Sequence, residues 1–142
     1  NIYEDIKRLQ PSREKAEAAM KAFDPAAWEA RVRRVFGKTA PQVLAIEEKA
    51  HKNDPARHAV RLTRILDNWD EIQKIIREEL PDREWLFGKM KQTGMPMTPE
   101  ELGISHEDVV DAFVCSRDIR DKYLSGSMLW DLGELDDFAK RL

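Results

Sequence analysis

Hydrophobic residues recur at helical spacing along the whole chain, and no segment shows the alternation of β-branched and aromatic residues that is typical of strands. Two helical segments open with the same pair of residues: Asp24 precedes Pro25, and Asp54 precedes Pro55. An aspartate can cap a helix, and proline is tolerated at the first helical position because its missing N–H group would have no partner there. The sequence therefore predicts an all-α fold, a compact domain of about seven to nine helices.

Other polar residues mark the starts of further helices. Ser12, Asp82 and Ser105 each precede a run with helical periodicity, and Thr39 stands two residues before Pro41. Each of these side chains can accept a backbone N–H group that would otherwise be unpaired in the first turn. We therefore predict helices that begin just after these positions.

The tryptophans lie on the apolar sides of predicted helices, which favours core packing for all of them. Trp85 is expected, with Leu86 and Met90, on the buried face of the helix that follows Asp82. The four residues concerned are Trp28, Trp69, Trp85 and Trp130.

The helical pattern after Ser105 continues to Tyr123, so the sequence predicts one long helix over this range. Its apolar face ends in Arg120 and Tyr123. The Arg120 guanidinium is either neutralised nearby, by Asp121 or Asp131, or directed toward an interface or a ligand anion. Arg120 and Tyr123 are accordingly the two candidate substrate-binding residues.

Residues that could bind a metal or act as a nucleophile are few and unfavourably spaced. His51 and His58 lie on either side of Asp54, where one helix should end and the next begin, and His106 should face water from the first turn of its helix. A metal site needs three or four convergent ligands, so we expect solvated histidines and no metal site. Cys115, the single cysteine, is expected to be a small buried thiol. No catalytic or cofactor-binding residue is predicted.

The charge distribution excludes several classes of function. The chain has 24 basic and 27 acidic residues, mixed throughout, and a formal net charge of −3. Such a surface has no strong field of one sign to attract nucleic acid or an anionic membrane. The chain also lacks a long apolar run and the layout of a signal peptide. The sequence thus predicts a cytoplasmic protein without nucleic-acid or membrane binding.

Two segments carry a resemblance to a known family. The first runs from residue 94 to 103, and the second covers residues 117–123 and 129–133, whereas residues 124–128 depart from the family pattern. Together they resemble the C-terminal segment of the sn-glycerol-1-phosphate dehydrogenases, a branch of the iron-containing alcohol dehydrogenase and glycerol dehydrogenase superfamily. The similar positions are Gly94, Pro96, Thr98, Pro99, Glu100, Glu101, Gly103, Arg117, Asp118, Arg120, Asp121, Tyr123, Trp130, Asp131, Leu132 and Gly133.

This resemblance implies an enzyme with an N-terminal Rossmann-like nucleotide-binding domain and a C-terminal helical domain of the dehydroquinate synthase-like and glycerol dehydrogenase fold. The enzyme would interconvert dihydroxyacetone phosphate and sn-glycerol 1-phosphate, a reaction of phospholipid metabolism, with NADH or NADPH and a divalent metal such as zinc. The family's metal ligands, one Asp and two His, have no counterpart in residues 1–142, so no catalytic, cofactor-binding or metal-binding residue is carried over.

Residues 1–142 are therefore interpreted as a single helical domain, the C-terminal part of a larger two-domain oxidoreductase. Helical spacing already at Ile2 and Ile6, without a capping residue before them, agrees with a helix that includes Asn1. The implied partners are the enzyme's own nucleotide-binding domain, a small phosphorylated substrate and further copies of the same subunit. The chain alone should be inactive. Two alternatives remain: an independent helical protein-interaction module, or the same domain from a glycerol or other polyol dehydrogenase.

Overall fold

The computed structural model describes residues 2–142, so the expected helix through Asn1 lies partly outside the described residues. Residues 2–142 form helices and turns and contain no strand, which confirms the predicted all-α fold. Eight of the α-helices have seven or more residues, and a five-residue helix lies near each end of the chain. The helices are α1 (Ile2–Ile6), α2 (Arg13–Lys21), α3 (Pro25–Phe36), α4 (Ala40–Ala50), α5 (Pro55–Asp67), α6 (Trp69–Glu79), α7 (Arg83–Gln92), α8 (His106–Cys115), α9 (Ser125–Asp131) and α10 (Leu135–Ala139).

Most of the predicted caps are present as hydrogen bonds. The Asp24 carboxylate accepts the backbone N–H groups at the start of α3, and Asp54 and Asp82 do the same for α5 and α7. Ser12 and Ser105 cap α2 and α8 through their hydroxyl oxygens. Helix α4 begins just after Thr39, as predicted, but the predicted cap bond is absent, because the Thr39 hydroxyl donates backward to the Phe36 carbonyl at 2.9 Å.

The main hydrophobic core lies where α9 and α10 pack against α2, α5 and α8. Leu129 and Leu132 are fully buried there, together with Leu62 from α5. Gly133, which follows α9, has φ +70° and lies directly against α2: a Cβ atom at this position would stand 2.9 Å from the Ala19 Cβ. This close approach brings the C-terminal helices into the centre of the molecule. A smaller apolar cluster around Val32 joins α3 to α4.

Helix α8 is shorter than predicted. It ends at Cys115, and residues 116–122 form turns that lead inward, whereas the sequence predicted a helix as far as Tyr123. The Ser116 hydroxyl donates to the Phe113 carbonyl at 2.7 Å, which satisfies one of the last carbonyls of the helix. The Lys52 ammonium then binds the carbonyls of Arg117 and Arg120 at 2.5 and 3.1 Å. A long-range contact that periodicity cannot reveal therefore holds the turns that follow the helix.

Helix α7 has no buried face within the described chain. All of residues 83–104, here named the α7 segment, are exposed or half-buried. The prediction that Trp85, Leu86 and Met90 face the core was wrong: Trp85 is 57% exposed and Leu86 41%. The prediction that all four tryptophans pack in the core was wrong for Trp85 only. Trp69 is buried, and Trp28 and Trp130 are half-buried. Among residues 2–142, no helix is both long and apolar enough to cross a membrane.

Candidate functional site

The centre of the candidate site is Asp131, the last residue of α9, whose side chain is fully buried. Its carboxylate accepts two hydrogen bonds from Arg61 of α5, one from Nε to Oδ2 and one from Nη2 to Oδ1, each 2.8 Å long. The Tyr123 hydroxyl donates a third bond to Oδ2, also at 2.8 Å. This two-pronged arginine contact is the strongest way to hold a buried carboxylate, and the third donor completes it.

Tyr123 is a donor in this arrangement. Burial of the hydroxyl and the adjacent Asp131 carboxylate both raise the pKa of Tyr123 well above its usual range. The phenol therefore keeps its proton at neutral pH, and its hydrogen bond to the carboxylate persists. Although 52% of the residue is exposed, the hydroxyl that the sequence offered to a ligand is occupied by Asp131.

A second set of hydrogen bonds fixes the loop that leads from α8 to α9. The Arg61 Nη2 also donates to the Lys52 carbonyl at 2.7 Å, and Arg117 Nη2 donates to the Asn53 Oδ1 at 2.6 Å. Burial lowers the pKa of Lys52, whose ammonium group binds the carbonyls of this loop. These side chains, with Asp131 at their centre, are named the Asp131 cluster: Lys52, Asn53, Arg61, Arg117, Tyr123 and Asp131.

Arg117 and Asp118 form a buried pair of opposite charges beside this cluster. Arg117 is 3% exposed and Asp118 is 4% exposed, and the Arg117 guanidinium lies 4.0 Å from the centre of the Trp130 ring. The Trp28 Nε1 donates to Asp118 Oδ2 at 3.3 Å. Burial lowers the pKa of Arg117 and raises that of Asp118. The pair is thus held by an aromatic face and an indole N–H group as well as by mutual attraction.

Two atoms of this pair lack a hydrogen-bond partner within residues 2–142. They are Arg117 Nε and Asp118 Oδ1, which stand 3.9 Å apart. Buried polar atoms are seldom left unpaired, because each one costs free energy without a partner. This pair is therefore the least satisfied polar group in the buried part of the described chain.

His58 is buried, which corrects the expectation of three solvated histidines. It is 3% exposed, its Nε2 donates to the Asp131 backbone carbonyl at 2.9 Å, and its ring meets the edge of Trp130. His51 and His106 are exposed, as predicted. His58 lies on the buried face of α5, one turn before Leu62, a position that a helical periodicity argument could have identified.

A cavity of about 370 Å³ opens beside the buried pair. It is lined by residues of α2 and α3, by the end of α8 with the start of the following loop, and by residues of α5, α9 and α10. Its lining combines aromatic rings with a few polar groups, as is usual for small-molecule sites. The lining residues include Phe23, Trp28, His58, Arg117, Asp118 and Trp130.

Tyr123 and Arg120, the two substrate-binding candidates from the sequence, lie in different surroundings. Tyr123 belongs to the Asp131 cluster, but Arg120 is exposed and contributes only its backbone carbonyl. Neither lies on α8, because that helix ends at Cys115. Sequence reasoning missed Arg61 and Lys52, which reach the cluster from 70 and 65 positions away along the chain. A single sequence carries no signal for such pairs, although Arg117, Asp118 and Asp131 were among the positions of family resemblance.

Within residues 2–142, no three His, Cys, Asp or Glu side chains lie close enough together to hold a metal ion. The divalent metal implied by the resemblance therefore has no ligand set in the part of the chain that is described. Cys115 is buried, and burial raises the pKa of its thiol to about 11.

Comparisons of this chain with family models, with curated proteins and with solved structures found no match.

Proposed function

We propose that this chain is the helical C-terminal domain of a metal- and NAD(P)-dependent dehydrogenase that interconverts dihydroxyacetone phosphate and sn-glycerol 1-phosphate. One observation carries the proposal. Several residues by which the chain resembles that family, Arg117, Tyr123 and Asp131, belong to one cluster around the buried Asp131 carboxylate. Residues of a shared motif are expected to share a structural task, and here they hold the α8–α9 loop in place.

In this proposal the domain supports the chemistry without performing it. The metal ion would polarise the substrate oxygen, and its ligands and the nucleotide site would belong to the enzyme's other domain. The Asp131 cluster fixes the loop after α8, so that one wall of a substrate cleft has a defined shape. The exposed apolar side chains of the α7 segment would pack against the nucleotide-binding domain or a second subunit. The protein would act in the cytoplasm.

The proposal is tested with the protein translated from the complete open reading frame that contains this sequence. With zinc and NADH or NADPH, it should oxidise the dinucleotide when dihydroxyacetone phosphate is added, whereas residues 1–142 alone should not. The matched control is the same reaction with metal but without protein. Turnover by residues 1–142 above this control would contradict the proposal, as would an inactive, folded full-length protein.

A second candidate, an independent protein-interaction module, is favoured by the exposed apolar surface of the α7 segment. Met95 is 52% exposed and Leu102 is 61% exposed, in addition to Trp85. Exposed apolar residues in one segment are typical of a surface that binds another protein. This candidate requires a reading frame without a glycine-rich nucleotide-binding stretch. A related polyol dehydrogenase would instead show turnover with glycerol or another polyol in the same assay.

A further inference from the structure

A second, smaller cavity lies next to the Asp131 cluster. Its volume is about 70 Å³, well below the range of roughly 300–1,000 Å³ that is usual for organic ligands. A buried water needs about 10–15 Å³ of such space, so this cavity can hold several waters or one small ion. Four of the residues that line it are cationic and two are anionic: Lys52, Arg61, Arg117 and Lys122 against Asp121 and Asp131.

The two carboxylates of this lining already have partners. The Asp131 carboxylate accepts two hydrogen bonds from Arg61 and one from Tyr123. The Asp121 carboxylate is exposed and lies 3.9 Å from the Lys122 ammonium, so these two charges offset each other. The positive charges that remain in the lining are those of the half-buried Lys52 and the buried Arg117.

Lys52 has no adjacent counter-ion in the described chain. Its ammonium binds the backbone carbonyls of Arg117 and Arg120, and no carboxylate of residues 2–142 stands within 4.0 Å of it. Asp118 and Glu47 attract it only from a greater distance. Burial disfavours the charged form and lowers the pKa of Lys52. An anion in the cavity would offset this cost.

The guanidinium groups of Arg61 and Arg117 each keep one free nitrogen. Arg61 donates through Nε and Nη2, and Arg117 donates through Nη2, whereas Nη1 of either residue makes no hydrogen bond within residues 2–142. Neither Nη1 is among the buried atoms that lack a partner, so both retain accessible surface. Arg117 Nε, which has no accessible surface, takes no part in this site.

We infer that this cavity binds a small oxyanion, either free phosphate or the phosphate group of a small ester, through Lys52, Arg61 and Arg117. Lysine and arginine side chains can only donate hydrogen bonds, and the oxygens of a phosphate accept them. The planar guanidinium groups suit a phosphate in particular. Bound there, the anion would join α5 to the loop after α8. The inference does not rest on the proposed dehydrogenase function, and inactivity in the dehydrogenase assay would leave it unaffected.

The test is a titration of the chain with inorganic phosphate, followed by the NMR signals of the indole N–H groups. Trp130 lines the cavity and stacks on the Arg117 guanidinium, whereas Trp85 is exposed on α7. Phosphate should shift the Trp130 signal in a saturable way, with a dissociation constant of about 1 mM or below, and leave the Trp85 signal in place. Sodium chloride at the same ionic strength is the control. Methyl phosphate separates the two sources of the anion: an equal shift assigns the site to an ester, and no shift assigns it to the free ion.

Two exposed lysines provide a matched pair of variants. Lys122 lines the cavity, whereas Lys91 lies on α7 and does not. Lys122→Ala should weaken phosphate binding about two- to fivefold, because an exposed charge contributes modestly, and Lys91→Ala should leave it unchanged. Arg61→Lys keeps the charge but removes the guanidinium fork, and should weaken binding about tenfold.

Three results would overturn the inference. They are a Trp130 shift that sodium chloride reproduces, the absence of a saturable shift up to about 50 mM phosphate, and equal effects of the two lysine substitutions. The titrations of the unmodified chain keep the test valid if Arg61→Lys fails to fold.

Discussion

The two segments from which the sequence predicted a family resemblance differ sharply in their surroundings. Residues 117–118 and 126–133 are buried or half-buried and include Asp131 and Leu129, both with no exposed surface, although residues 119–123 between them are exposed. Residues 94–103 belong to the α7 segment, in which no described residue is buried. Both segments have clear helix and turn signals in the sequence, so local signals alone do not distinguish a core element from an exposed one.

The C-terminal segment and the α7 segment are held in place by different kinds of contact. The C-terminal segment is held by long-range polar contacts to the turn between α4 and α5, through Lys52, and to α5, through Arg61. The α7 segment is held by local devices, such as the Asp82 cap and the bond from the Met97 N–H to Glu101. We expect substitutions in the first region to unfold the whole domain, and substitutions in the second to have local effects.

The largest effect is expected from Asp131→Ala. The change removes the only described carboxylate that binds Arg61 and Tyr123 and leaves a partly buried guanidinium unpaired. Breaking a buried pair in this way costs about 3–5 kcal/mol of unfolding free energy, measurable by urea denaturation. The control is Asp121→Ala, an exposed carboxylate, which should change the value by less than about 0.5 kcal/mol. Equal effects would show that the cluster does not hold the C-terminal region.

A similar contrast is expected between two leucines. Leu129→Ala removes a fully buried side chain of α9 and should lower the free energy of unfolding by about 2–5 kcal/mol. Leu86→Ala removes a side chain of α7 that is 41% exposed, and should lower it by less than about 1 kcal/mol. A large loss at Leu86 would mean that α7 packs more closely against the domain than its exposure indicates.

Gly133 and Gly103 have the same backbone conformation, so substitutions at these two positions compare the C-terminal segment with the α7 segment. Gly133 has φ +70° and Gly103 has φ +69°, so alanine is strained at both. At Gly133 the added Cβ would also approach the Ala19 Cβ to 2.9 Å, whereas nothing lies within 4 Å at Gly103. Gly133→Ala should therefore cost about 2–4 kcal/mol and Gly103→Ala about 1 kcal/mol by thermal or urea unfolding. Equal losses would show that backbone strain alone matters at both sites.

The sequence predicted those parts of the fold that depend on local chemistry. The Asp24, Asp54, Asp82 and Ser105 caps are all present, because each is set by a few neighbouring residues. The end of α8 and the exposure of α7 could not be predicted in this way.

Both errors have a common physical cause. Helix α8 ends where Lys52 binds carbonyls of the following loop, and the apolar face of α7 meets no other element in residues 2–142 that buries it. Such outcomes depend on residues far apart in the chain. The candidate site was even less predictable: Tyr123 was named as a candidate, but the fold alone brings it and Arg61 to the same acceptor, Asp131.

The smallest effect is expected at the contact between α3 and α8, and it should depend on pH. The Asp111 carboxylate accepts two hydrogen bonds from the Arg34 guanidinium, at 2.5 and 2.7 Å, and this contact lowers the pKa of Asp111. A carboxylate whose pKa is lower in the folded state stabilises that state above its unfolded pKa of about 4, and the contribution disappears as the pH falls through the folded pKa.

Asp111→Asn should therefore lower the midpoint of urea unfolding slightly and equally between about pH 5 and 7, and its difference from the unsubstituted chain should shrink below about pH 4. Because the pair is open to solvent, added salt should also reduce the difference at neutral pH. Asp121→Asn, whose partner Lys122 lies at 3.9 Å in full contact with solvent, should have little effect at any pH. A difference that grew as the pH fell would contradict the assignment of the stabilising form to the ionised Asp111. Since this contact joins α3 to α8 and α7 has no comparable ion pair within residues 2–142, acid should weaken the contact between α3 and α8 while leaving the α7 segment unchanged.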